Sequence, residues 1–140
     1  SSDVCSSDLY HTKNLELQGD EVLLIDMDTL SRGNPVFDLA ATYNAYVGFG
    51  AADPMSIDRF MGIPHEQTAY LWDLIIHRYF DGCDEDEVRA AQDKIRLVSA
   101  VRLMGRPLRR NTPAEKAKPL LDAYGAIIDQ TLPRVESLAI

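Results

Sequence analysis

Cysteine is scarce in this chain: Cys5 and Cys83 are the two among 140 residues. Two cysteines make no disulfide framework, and this pair lacks metal-ligand spacing. Cys83 lies in Asp81-Gly82-Cys83-Asp84, an acidic setting unlike that of reactive thiolates. No stretch approaches the ~20 apolar residues of a membrane span. No basic segment followed by an apolar run opens the chain, so a secretory leader is not expected. These absences predict a cytoplasmic protein without a membrane partner. Positive charge is also sparse, with 14 Lys and Arg against 22 Asp and Glu and a net charge of −8. A short cluster at Arg102, Arg106, Arg109 and Arg110 is the exception, and no basic stripe follows a helix face. Nucleic-acid binding is therefore not expected. An acidic surface can steer a cationic small molecule, although solubility alone is the simpler account of the charge.

What is present suits one globular domain: 46% hydrophobic and 26% charged residues, in a length hardly sufficient for two cores. Residues 1–9, Ser-Ser-Asp-Val-Cys-Ser-Ser-Asp-Leu, repeat Ser-Ser-Asp and carry no helical or strand period. They resemble translated sequencing-adapter DNA and are set aside as non-native and unpacked. The patterned sequence, residues 10–140, divides into a loop and hairpin at 10–35 and a helical part at 36–140.

Leu15 to Gln18 and Glu21 to Ile25 flank Gly19-Asp20, a β-hairpin signal, although Asp-Gly is the preferred order. In this reading Leu15, Leu17, Leu23 and Ile25 bury against the first helix. Asp26 to Pro35 reads as a polar loop. Helical spacing of Phe37, Ala40, Ala41, Asn44 and Ala45 then predicts a helix over about 36–46. A short turn or helix follows at 57–61. The next helix spans about 64–80 with a buried face of Tyr70, Leu71, Leu74, Ile75 and Ile76. Acidic residues 84–87 open another, ending near Met104 before Gly105 and Pro107, with Val88, Ile95, Val98 and Val101 inward. The last runs over about 113–131, with Thr112 and Glu115 as a capping box. The expected class is mainly α with one small hairpin.

Three segments carry the chemistry: Tyr10-His11-Thr12-Lys13-Asn14-Leu15, Leu23-Leu24-Ile25-Asp26, and Pro35-Val36-Phe37-Asp38-Leu39-Ala40. Together they resemble the catalytic core of the aminoglycoside phosphotransferase and choline kinase-like family. There a His-Gly-Asp motif opens the catalytic loop and an Asn follows five residues after its Asp. A hairpin leads to Ile-Asp, and an aromatic-Asp-(Leu/Ile)-Ala motif starts the next helix. The resemblance covers residues 10–46. It implies the C-terminal lobe of a protein-kinase-like fold, α+β in the full-length parent. It also implies transfer of the γ-phosphoryl group of ATP to a hydroxyl of an aminoglycoside, choline-like or related acceptor. Phosphoryl transfer needs Mg²⁺ on phosphate oxygens and an acid at the attacking hydroxyl. Asn14 and Asp26 then correspond to the metal ligands, oxygen donors of the kind Mg²⁺ takes. Asp38, with His11, supports the catalytic loop. Each also has a plain reading: Asn14 ordering a loop, Asp26 capping a turn, Asp38 as a solvated first-turn acid, and His11 packing.

One departure limits what this chain can do. The position for the catalytic aspartate, five before Asn14, holds Leu9, which accepts no proton. The ATP-holding lobe is absent as well, so the chain as given is expected to be inactive. Two other classes stay open. Asp26-Met27-Asp28-Thr29 after an apolar run also matches the Asp-x-Asp-x-Thr motif of haloacid-dehalogenase-like phosphatases, with Asp26 as nucleophile and Asp28 as acid/base. That fold needs a parallel sheet with alternating helices. A non-catalytic helical interaction module is the third reading.

Overall fold

The computed structural model describes residues 4–6, 14–26 and 30–140. Four short strands come first: β1 (Val4–Ser6), β2 (Leu15–Gln18), β3 (Glu21–Leu24) and β4 (Leu30–Arg32). Five helices follow: α1 (Val36–Tyr46), α2 (Met55–Met61), α3 (His65–Tyr79), α4 (Glu85–Arg109) and α5 (Ala114–Thr131). The chain is mainly helical, with two antiparallel two-stranded sheets, β2–β3 and β1–β4. Among the described residues no strands pair in parallel.

The hairpin forms where the alternation places it, with Leu15 opposite Leu24 and Gln18 opposite Glu21. Gly19 has φ +63°, whereas Asp20 is not left-handed. The turn thus asks for positive φ at its first central residue, which explains Gly-Asp rather than Asp-Gly. Its apolar side chains do not bury as expected. Leu17 is 73% exposed and Val22 66%, and Leu23 and Ile25 are exposed as well.

The polar loop expected over 26–35 contains β4, whose residues 30–32 pair with residues 4–6. Residues 1–9 were expected to stay unpacked, yet Val4–Ser6 form β1; residues 1–3 and 7–9 lie outside the described residues. Backbone N–H and C=O groups are available whatever the side chains, and an open strand edge recruits any extended segment.

α1 is buried over almost its whole length, from Val36 and Leu39 through Tyr46. A helix apolar all round occupies the centre, and Ala40, Ala41 and Ala45 let neighbours approach closely. The Asn34 side chain accepts the Val36 N–H at 3.0 Å and donates to the Leu138 carbonyl at 2.8 Å. It thereby fixes the start of α1 and ties the C-terminal segment to it. The main core joins α1 to α2, α3 and α4 through Val36, Tyr43, Ile57, Trp72, Ile76 and Ile95. Tyr43 and Trp72 meet edge to face at 5.2 Å. Full burial of Ile57, Ile76 and Ile95 contributes about 1.5–3 kcal/mol each. A second cluster, Ala100, Leu103 and Tyr124 with Leu120, Ile127 and Ile128, joins α4 to α5.

Four helix assignments need correction. The buried face of α3 is Thr68, Trp72 and Ile76, while Tyr70 and Leu74 are 63% and 48% exposed. A 3.6-residue period through Trp72 and Ile76 turns positions 70 and 74 outward. α4 runs through Gly105 and Pro107 to Arg109, and Val101 is 55% exposed. Pro107 sits in the last turn with its ring buried, so packing retains a residue that propensity rejects. The capping box lies at α4 rather than α5. Asp84 accepts from the backbone of Asp86 and Glu87, and the Glu87 carboxylate accepts the Asp84 N–H at 2.9 Å. At α5 the N-cap is Pro113, one residue later than expected, so Glu115 is out of register with Thr112. Finally, α2 begins at Met55, two residues before the expected start.

Candidate functional site

The antiparallel register brings two of the expected site residues to the open end of the hairpin. The Ile25 N–H donates to the Asn14 carbonyl oxygen at 2.8 Å. This extends the ladder by one pair beyond Leu15 and Leu24 and leaves Asp26 next in line. Asn14 is half-buried and Asp26 exposed. Asp26 has φ +58°, one of two non-glycine residues with positive φ among those described. Asp tolerates this region better than most residues, yet the conformation costs energy and concentrates at functional sites. The turn at Asp26 ends the ladder, so the chain leaves the hairpin there rather than pairing further.

Asp38 lies on a different element, in the first turn of α1, where it is half-buried. Its carbonyl oxygen accepts the Thr42 hydroxyl at 3.0 Å. The position suits a carboxylate near a helix N-terminus. His11, Leu9 and Asp28 lie outside the described residues.

Asn14 and Asp26 offer oxygen donors only. Among the described residues, no cluster of three or more His, Cys, Asp or Glu side chains could hold a metal ion. An amide oxygen and a carboxylate are ligand types that Mg²⁺ takes, whereas Zn²⁺ prefers His and Cys nitrogen and sulfur.

Two buried tyrosines have displaced acidities. Burial pushes the Tyr43 phenol up, opposed by Arg96, which lies close enough to hydrogen-bond it. Burial likewise pushes the Tyr124 phenol up, opposed by the charge of Arg106. Both belong to the core.

A separate cleft of about 360 Å³ opens at the C-terminal end of α4, lined by Arg102, Arg106, Arg109 and Arg110 with Asn44 and Phe49. The arginine spacing is visible in the sequence. Its convergence with Asn44 of α1 is not, because 58 residues or more separate them.

Comparison with known proteins finds no match: no family model, no curated protein and no solved structure. No described helix is long and apolar enough to cross a membrane.

Proposed function

We propose that this chain is the C-terminal lobe of an ATP-dependent small-molecule phosphotransferase with a hydroxyl acceptor, in the manner of aminoglycoside phosphotransferase or choline kinase-like enzymes. The observation that carries the reading is the hairpin end. Asn14 pairs with Ile25 there, one position short of Asp26, Asp26 holds a left-handed backbone, and α1 follows with Asp38 in its first turn.

In this reading Asn14 and Asp26 hold Mg²⁺, which would bridge and neutralise ATP phosphate oxygens when bound. Asp38 positions the catalytic loop from the rigid end of α1, with His11 in the same supporting part. Helices α3 to α5 border the acceptor side, a small-molecule hydroxyl compound. With Leu9 at the acid position, nothing there accepts the hydroxyl proton, so the chain as given transfers no phosphoryl group. The antiparallel pairing of β4 favours this reading over a phosphatase using Asp26 and Asp28, which needs a parallel sheet.

Paramagnetic Mn²⁺, used in place of Mg²⁺, tests the site through broadening of backbone amide signals. Selective broadening around residues 14–16 and 24–26, lost in Asp26→Asn, is the expected result. Broadening centred elsewhere, or unchanged by Asp26→Asn, would refute the site. ATP-dependent phosphorylation of an aminoglycoside or amino alcohol by the purified chain would refute its inactivity.

A further inference from the structure

We propose that the cleft between α5 and the wall of α1, α2 and α3 binds a small neutral aromatic molecule carrying a hydroxyl group, with His65 at its polar end. The inference rests on neither the hairpin nor ATP, so it stands apart from the phosphotransferase reading.

The packing order creates the cleft. α2 and α3 pack on α1, whereas α5 packs chiefly on α4. The space left between them is about 460 Å³, within the roughly 300–1,000 Å³ of small-molecule sites. Its floor is Tyr43, Tyr46 and Ile57, all buried. Its rim is Ala51, Ala69 and Ala126, all exposed. Side chains of one carbon there leave the way to the floor open.

The lining selects the charge and shape of the occupant. Among the described residues no Asp, Glu, Lys or Arg lines the cleft, in a chain where those types make up 26%. An ion placed there would lose hydration without gaining an opposite charge, so a neutral molecule fits. Two tyrosine rings in the floor favour a flat aromatic body, because ring pairs add to plain area burial.

His65 supplies the polar end. Gly62, at φ +73°, stops α2 in the left-handed region, and the short turn after it leads directly into α3. Asp58 of α2 thereby meets His65 at the start of α3. Its Oδ1 accepts the His65 backbone N–H at 2.9 Å and the Nδ1–H at 3.0 Å. The ring is thus fixed from a neighbouring helix with a proton on Nδ1, and Nε2 of the neutral imidazole is an acceptor. Nε2 lies 3.2 Å from Oε1 of Glu66, a second acceptor. In that form the two face each other with no proton to share, which a hydrogen-bond donor relieves. A ligand hydroxyl is such a donor, and an ether is not. The Glu66 side chain is 74% exposed, so it can turn aside to admit one.

The test is a titration of the whole chain with 2-naphthol at about pH 8, to keep imidazole neutral, followed by backbone amide shifts. Saturable shifts at residues 46, 51, 65 and 126 are expected. 2-Methoxynaphthalene, which lacks the donor, should bind about fivefold more weakly, as expected for one neutral hydrogen bond. His65→Phe keeps a ring but removes the acceptor, and should abolish that preference. Ala69→Leu and Ala126→Leu fill the cleft from exposed positions that the fold does not depend on, and each should weaken binding about tenfold or more. Ala90→Leu, exposed on α4 and outside the cleft, should leave it unchanged. Shifts that fail to saturate, or that gather instead on exposed Leu17 and Val22, would mean general adsorption to apolar surface and overturn the proposal. Equal affinity for 1-octanol would overturn the choice of an aromatic body, and equal affinity for 2-methoxynaphthalene the part given to His65. Self-association of the chain that 2-naphthol reverses by competition would give the cleft to a second copy and overturn the small-molecule assignment.

Discussion

The Ser99 hydroxyl of α4 donates to Oδ1 of Asn44 on α1, and both side chains are almost wholly buried, at 2% and 5% exposure. This bond joins two polar groups inside the interface between the central helix and the longest one. Ser99→Ala removes the donor and leaves a buried amide oxygen unsatisfied, so it should cost about 1–3 kcal/mol. Chemical denaturation measures the loss. Asn44→Ala and the double variant complete a cycle, and a coupling near zero would show that the pair does not interact.

Gly48 sits over the same bond. A Cβ there would lie 2.7 Å from Asn44 Oδ1 and 3.1 Å from Ser99 Oγ. Gly48→Ala should therefore destabilise by about 1–3 kcal/mol, the usual cost of overpacking. Gly125, within α5, is the contrast, since a Cβ there would meet only Met104 Cε at 3.7 Å. Gly125→Ala should stabilise by about 0.5–1 kcal/mol through helix propensity. Thermal melts of the two variants should move in opposite directions.

The capping assignments separate equally cleanly. Asp84 caps α4 through two backbone N–H groups, so Asp84→Ala should cost about 0.5–2 kcal/mol. Thr112 makes no such cap, because α5 starts from Pro113. Thr112→Ala should change stability by less than about 0.5 kcal/mol. Equal losses in the two variants would place the box at α5 after all.

His77 gives a pH dependence whose sign is fixed. Its Nδ1–H donates to the Asp73 carbonyl at 2.8 Å, with the Asp73 and Glu85 carboxylates nearby. The backbone bond above all, with these carboxylates adding to it, raises the pKa above the ordinary value of 6.5, against an opposing effect of burial that exceeds that of either carboxylate. A raised folded-state pKa means stabilisation that is fully present below 6.5 and is lost as pH rises through the folded value. The group is exposed, so the effect is small. Titration of its ring protons should give a midpoint above that of free histidine, and Asp73→Ala, which removes the carboxylate, should bring it part of the way back. A midpoint at or below the ordinary value would contradict the arrangement.

Local pattern carried the hairpin and the existence of the helices, because both follow from neighbours within a few residues. The register of β2 on β3 needs only alternation and Gly19-Asp20. α1 begins and ends where spacing and Gly48 place it. That residues 14 and 26 lie at the open end of the hairpin was legible for the same reason, since a two-residue turn fixes which positions pair, and it pairs Asn14 with Ile25. The orientation of α3 was less so. Ile76 reaches the core as its spacing suggests, but so does Trp72, while the equally apolar Tyr70 and Leu74 face outward.

By itself the sequence determined a mainly helical chain led by a hairpin, since period and turn chemistry act over short range. Tertiary structure decided what long-range contact alone can decide. It carried α4 through Gly105 and Pro107, because burial of the Pro107 ring offsets the lost backbone bond. It paired Leu30–Arg32 with Val4–Ser6, because an open edge accepts backbone without regard to side chains. And it brought four arginines of α4 against Asn44 and Phe49, forming a cleft whose two walls lie far apart along the chain and meet only through the packing of α1 on α4.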